Sequence, residues 1–133
     1  MAKMIPTVVD DFNNSPGERL VFDALRDGLP SDYTVFHSFR WNRRTQSGRI
    51  EWGEADFTIF HPKHGILVIE VKSGGIALEN GQWWYERTNN HERKPMKAPL
   101  EQADRTKYEL VDMINSCLDE GEYCWVEPAV WFP

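Results

Sequence analysis

The sequence predicts an α/β domain in which a central mixed β-sheet is flanked by helices. Three observations lead there. Periodic segments follow one another as helix, strand, strand, strand, small hairpin, helix, strand, an order that suits a sheet with helices laid on its faces. Residues 66–71, ILVIEV, are apolar at nearly every position, as in a strand covered on both sides. The length of 133 residues, 41% hydrophobic and 13% aromatic, suffices for one core and argues for one domain.

Residues 1–14 read as an extended N-terminal lead-in, and residues 15–133 as the single domain. Ser15-Pro16-Gly17-Glu18 is a helix start, with serine at the N-cap, proline at the first helical position and glutamate three residues after the cap. The helix should run to about Asp27, stopped by Gly28 and Pro30. Val21, Phe22 and Leu25 follow Glu18 by three, four and seven residues, so Glu18 begins the inner face. A glutamate at this place can also simply turn back to the N-cap amide. Residues 33–41 form a strand rich in aromatic and β-branched side chains, and residues 42–48, NRRTQSG, a polar loop.

Residues 53–72, GEADFTIFHPKHGILVIEVK, form a hairpin: two apolar runs flank the turn cluster His61-Pro62-Lys63-His64-Gly65. Folded about Lys63, the hairpin sets Asp56 opposite Glu70, and alternation puts Glu70 and Lys72 on one face. Opposed like charges destabilise a sheet. The plain explanation is a solvated polar face. The alternative, favoured by the apolar frame around both carboxylates, is a divalent cation held between them with the ammonium alongside.

After Ser73-Gly74-Gly75 the chain bends. Residues 77–79 and 82–85 flank Asn80-Gly81, the strongest short hairpin signal. Trp83 and Trp84 then point to opposite faces; packing this hairpin onto the body is the expected role, stacking on a base the alternative. Residues 89–99 read as a basic loop. A helix over residues 100–118 buries Ala103, Leu110, Ile114 and Cys117, with Gln102 at the edge of that stripe near the helix end that attracts anions. Residues 123–132 form the last strand, at an edge or with a bulge because of Pro128. The apolar finish, Trp131-Phe132-Pro133, suggests a domain cut from a longer chain.

Asp56, thirteen intervening residues and Glu70-Val71-Lys72 resemble the D-(x)n-E-x-K signature of the restriction-endonuclease-like PD-(D/E)xK nucleases. With SPGER at residues 15–19, GEADF at 53–57, EVKS at 70–73 and Gln102 on the later helix, the chain resembles the nuclease-related domain (NERD) more closely, from about Ser15 to Val130. The resemblance implies a restriction-endonuclease-like core and Mg²⁺-dependent hydrolysis of nucleic-acid phosphodiesters, with DNA the first candidate and Mn²⁺ able to substitute. It implies Glu18, Asp56, Glu70, Lys72 and Gln102 as catalytic residues. Asp56, Glu70 and the Val71 carbonyl would hold the metal, and Glu18 would supply an outer or second position. A helicase-like or other DNA-processing module in a parent chain is an expected partner, and a second copy of this chain another. The alternative is a catalytically weak or inactive nucleic-acid-binding accessory domain.

The net charge of −6 argues mildly against a nucleic-acid partner, but its distribution matters more. Arg43 and Arg44, with Arg40 and Arg49, form one basic stretch, and Arg93, Lys94 and Lys97, with Arg87, a second. Arg43, Arg44, Arg93, Lys94 and Lys97 are the expected nucleic-acid contacts, against the plain reading of solvated loops. No apolar run approaches the roughly 20 residues needed to span a bilayer, and the N-terminus lacks the apolar core of a secretory signal. A cytoplasmic setting without membrane contact is expected, with Cys117 and Cys124 reduced. His61 and His64 flank a turn and should be exposed, without a metal role, since oxygen ligands suit Mg²⁺ better. No glycine-rich phosphate loop, Ser/His/Asp arrangement or internal repeat is present.

Overall fold

The computed structural model describes residues 1–12, 15–87, 90 and 92–133; the side chain of Arg43 also lies outside the described set. The elements run β1 (Lys3–Ile5), α1 (Pro16–Gly28), β2 (Thr34–Arg44), β3 (Ile50–His61), β4 (Gly65–Val71), β5 (Ile76–Glu79), β6 (Gln82–Glu86), β7 (Arg93–Met96), α2 (Pro99–Asn115) and β8 (Val126–Trp131). Five strands form a mixed sheet in the order β1-β2-β3-β4-β8, parallel at its two edges and antiparallel within. A smaller antiparallel sheet, β5-β6-β7, follows. This is the mixed α/β architecture the sequence predicts, compatible with a restriction-endonuclease-like core.

The predicted hairpin register is present: Phe57 pairs with Ile69 and Phe60 with Ile66. Alternation then sorts β4. Ile69 and Val71 join Val21, Phe22 and Leu25 of α1 in one core cluster, whereas Val68 joins Leu110 of α2 in the other. The two helices therefore cover opposite faces of the central strand, which is why residues 66–71 are apolar at every position but Glu70.

Several boundaries depart from expectation. Within the lead-in, β1 pairs in parallel with β2, and Ala2 and Met4 are buried in the α1-side core. The expected loop over residues 42–48 is shorter than predicted: residues 42–44 extend β2 and only the remainder turns. Arg44 pairs with Ile50, and the chain turns at Thr45–Arg49 through two backbone hydrogen bonds and Gly48 at φ +82°. The polar residues at the start of the expected loop belong to a solvent-exposed ribbon that the turn closes, because propensity says little about two-stranded ribbons in water. The described part of the expected basic loop contains β7, whose Pro95 is tolerated because β7 is an edge strand. Asn89 and His91 lie outside the described residues. The second helix ends at Asn115, where the Ser116 hydroxyl donates to the Met113 carbonyl at 2.6 Å. Cys117 thus falls beyond the helix and is exposed, not part of a buried stripe. The last strand begins at Val126, and Pro128 sits in it because β8 is an edge.

His61 also departs from expectation: only 6% of its surface is exposed. Its Nε2 lies 2.8 Å from Asp32 Oδ2, its Nδ1 accepts from the Lys63 amide at 3.0 Å, and its ring stacks on His64. The turn is closed by this cluster, so its histidine is enclosed. Trp83 stacks on Phe132 at 5.9 Å, which fastens the small sheet to the end of β8. No helix is long and apolar enough to cross a membrane among the described residues.

Candidate active site

The ladders of the large sheet break around one residue. The β3–β4 rungs stop at Phe57–Ile69, and the next would be Asp56–Glu70. Across the other edge of β3, His37 pairs with Phe57 and Phe39 with Ala55, while the rung between them, Ser38–Asp56, is skipped. Ser38 has φ +52°, a left-handed conformation uncommon outside glycine. Beyond the break β3 stays with β2, whereas β4 stays with β8 through Glu70–Val130 and Val71–Trp131. The strands part, and the Asp56 carboxylate takes the place of a backbone acceptor: the Val71 amide donates to its Oδ2 at 2.8 Å.

The parting exposes an imbalance of charge. Burial, the nearby Glu70 carboxylate and, more weakly, Glu18 push the Asp56 carboxyl up to about 7, against the Val71 hydrogen bond and Lys72, which pull it down. Lys72 Nζ stands 3.0 Å from Glu70 Oε1, with both side chains largely covered. Burial pushes the Lys72 ammonium down, but Glu70 and the phenol of Tyr85 more than offset this, and it is held above the usual lysine range. Tyr85, from β6, was not among the sequence candidates. Its alternation on a short hairpin carries no signal of what lies opposite.

Glu18 approaches because α1 begins against the end of β4. A Cβ on buried Gly17 would stand 2.3 Å from Ser73 Cβ and 3.0 Å from Pro133, so only glycine permits this approach. Ser15 Oγ accepts the Glu18 amide at 3.3 Å, one half of a capping box. The other half is missing. The Ser15 amide goes to the Phe12 carbonyl, and Glu18 Oε2 lies 2.8 Å from His37 Nε2. His37 is a second residue the sequence did not single out. Gln102 is half-buried in the first turns of α2, its backbone N–H donating to the Ala98 carbonyl; no side-chain hydrogen bond joins it to the carboxylates among the described residues.

Of the expected nucleic-acid contacts, Arg44 is exposed on the β2–β3 ribbon and Lys94 on β7. Lys97 lines, with Trp83 and Glu101, a cleft between the small sheet and the start of α2. Arg93 is engaged by Glu79 and, at 3.5 Å, by Glu86, so it is already neutralised. The Arg43 side chain lies outside the described residues.

Among the described residues no three His, Cys, Asp or Glu side chains stand grouped as a metal site. The donor chemistry fits a smaller set. Two opposed carboxylates raise one another's cost of ionisation, and a cation relieves it; Mg²⁺ is commonly held by one or two carboxylates with water and substrate oxygens completing the shell. The family model described as nuclease-related domain matches residues 13–133. No curated protein and no solved structure matches the chain.

Proposed function

The chain belongs to the nuclease-related domain family, and from that premise we propose that it is a metal-dependent nuclease hydrolysing nucleic-acid phosphodiesters, DNA in the first place. The observation that carries the reading is Asp56, a carboxyl group set in a parted sheet beside Glu70 and Lys72 and pushed up to about 7. Perturbed groups in such settings are candidates for chemistry.

Asp56, Glu70 and the Val71 carbonyl would hold Mg²⁺ or Mn²⁺, with Glu18 as an outer ligand. A divalent cation supplies charge neutralisation at the phosphate and a more acidic water. Asp56 gives up its proton when its charge is needed as a ligand, so binding weakens below neutral pH. The Lys72 ammonium, already held by Glu70, orients the attacking water or offsets charge developing on the phosphate oxygens. Gln102, near the start of α2, positions the water or Lys72. Arg44, Lys94 and Lys97, with Arg43, meet flanking phosphates. A helicase-like module or a second copy of the chain is its proposed partner. On this reading the chain works in the cytoplasm, where its free Cys117 and Cys124 stay reduced.

Labelled linear, circular and single-stranded DNA incubated with Mg²⁺, Mn²⁺ or chelator tests the proposal. Metal-dependent nicking or degradation by the wild type, lost in Lys72→Ala, is expected. Binding without cleavage in every metal would instead favour the accessory nucleic-acid-binding role, which the engagement of Lys72 by Glu70 makes the second reading.

A further inference from the structure

Glu18 does not do what its position in the helix start predicts. Its carboxylate leaves the N-cap amide to Phe12 and meets His37 Nε2 at 2.8 Å, with the two side chains only 19% and 6% exposed. An ionised carboxylate can only accept, so in this pair Nε2 carries the hydrogen and donates. The imidazole has little freedom: the rings of Phe12, Phe22 and Phe57 lie 5.3, 5.9 and 4.9 Å from it. His37 is also the last β2 residue paired before the skipped rung, immediately ahead of left-handed Ser38. The backbone break that frees Asp56 and the ring that holds Glu18 are thus neighbours in the chain.

We propose that His37 is a positioning residue: it donates from Nε2 to one oxygen of Glu18, fixing the carboxylate in place and leaving the other oxygen for a cation or its water. The inference rests on the nuclease reading, because the held carboxylate matters only if it serves the site. Partners that orient ligands from behind typically set metal affinity by 10–100-fold.

Calorimetric titration of the intact chain with Mn²⁺ alone, without nucleic acid, tests it. His37→Phe keeps an apolar ring among Phe12, Phe22 and Phe57 but removes the donor; Mn²⁺ affinity should fall about 10–100-fold. His37→Gln returns an N–H donor at similar reach and should regain most of the affinity. A native-like His37→Phe that binds Mn²⁺ as wild type does, or a His37→Gln as weak as His37→Phe, overturns the assignment. Should His37→Phe fail to fold, His37→Asn replaces it: its shorter amide should bind Mn²⁺ weakly where His37→Gln binds well, and equal affinities overturn the inference. A wild-type chain that does not bind Mn²⁺ overturns the cation site itself, an outcome distinct from a bound cation indifferent to His37.

Discussion

The β3–β4 hairpin carries a polar cluster at each end, and the two differ in how their charges are matched. At the closed end, His61 is enclosed, both ring nitrogens have partners, and its hydrogen bond to Asp32 holds that carboxyl below the usual range. At the open end, Asp56 has one backbone donor, two neighbouring carboxylates and one nearby ammonium, and is pushed upward instead. The same two strands make both clusters. The closed end satisfies its polar groups internally, so it reads as structure. The open end leaves negative charge unmatched in a partly covered place, which is costly unless something cationic arrives. Burial and uncompensated like charge push Asp56 up, whereas exposed Asp32 is pulled down by its histidine partner, and the opposite directions of shift separate the two.

Activity should divide the ends most sharply. Asp56→Ala or Glu70→Ala should lower metal-dependent cleavage by about a thousandfold or more, at least the scale of removing one group that stabilises a transition state. Lys72→Ala should lose cleavage while keeping Mn²⁺ binding. His61→Gln, at the other end, should cleave at the wild-type rate below its melting temperature. Purified Asp56→Ala cutting at full rate would remove the distinction.

Stability against pH should divide them next. The folded value of Asp56, about 7, exceeds that of an ordinary carboxyl, so the folded chain holds a proton that the unfolded chain has lost. Stability should therefore fall as pH rises from about 4 to 7, with the cost complete above 7. Asp56→Asn keeps an acceptor for the Val71 amide and removes the charge. In chelator at pH 8 it should be more stable than wild type by on the order of 2–4 kcal/mol, the advantage fading towards pH 4. Added Mn²⁺ or Mg²⁺ should raise the wild-type melting temperature and leave the mutant nearly unmoved, since only a competent site gains by mass action. Equal metal shifts in thermal melts of the two proteins would mean that Asp56 binds no cation.

The closed end has the opposite sign. Asp32 is lowered, so its contribution is present above the ordinary carboxyl value and is lost as pH falls through the lowered one. His61→Phe leaves the Lys63 amide without its acceptor and should destabilise by about 1–3 kcal/mol in denaturant unfolding, with an unchanged response to Mn²⁺. A lost metal response in that variant would merge the two ends into one site.

Salt dependence should give the smallest effect. Neutralising Arg43, Arg44, Lys94 and Lys97, all away from the turn, should weaken DNA binding alike across sequences and flatten its salt slope, by about one unit for each phosphate left without its cation. Lys63→Gln, an exposed charge at the closed end, should leave the slope unchanged. Equal slopes in both variants would return the four residues to ordinary solvated positions.

The sequence by itself determined the hairpin and its register, because apolar alternation and the turn residues over 61–65 act locally and admit one pairing that buries Phe57, Ile69 and Val71 together. It determined the start of α1, where Ser15, Pro16 and Glu18 each favour a helix N-terminus for local reasons. It also showed which carboxylates and lysine share the hairpin. Periodicity reports which face a side chain takes, not what comes to meet that face. That is why the tertiary structure alone decided the rest. Strands β3 and β4 part at Asp56 because each follows a different neighbour, β2 or β8. Glu18 turns from its own cap to His37 because Gly17 lets α1 approach Ser73. His61 is buried because Asp32, twenty-nine residues earlier in the chain, closes over it. Each of these meetings joins residues far apart in sequence, and packing of the whole sheet, not local preference, sets their distance.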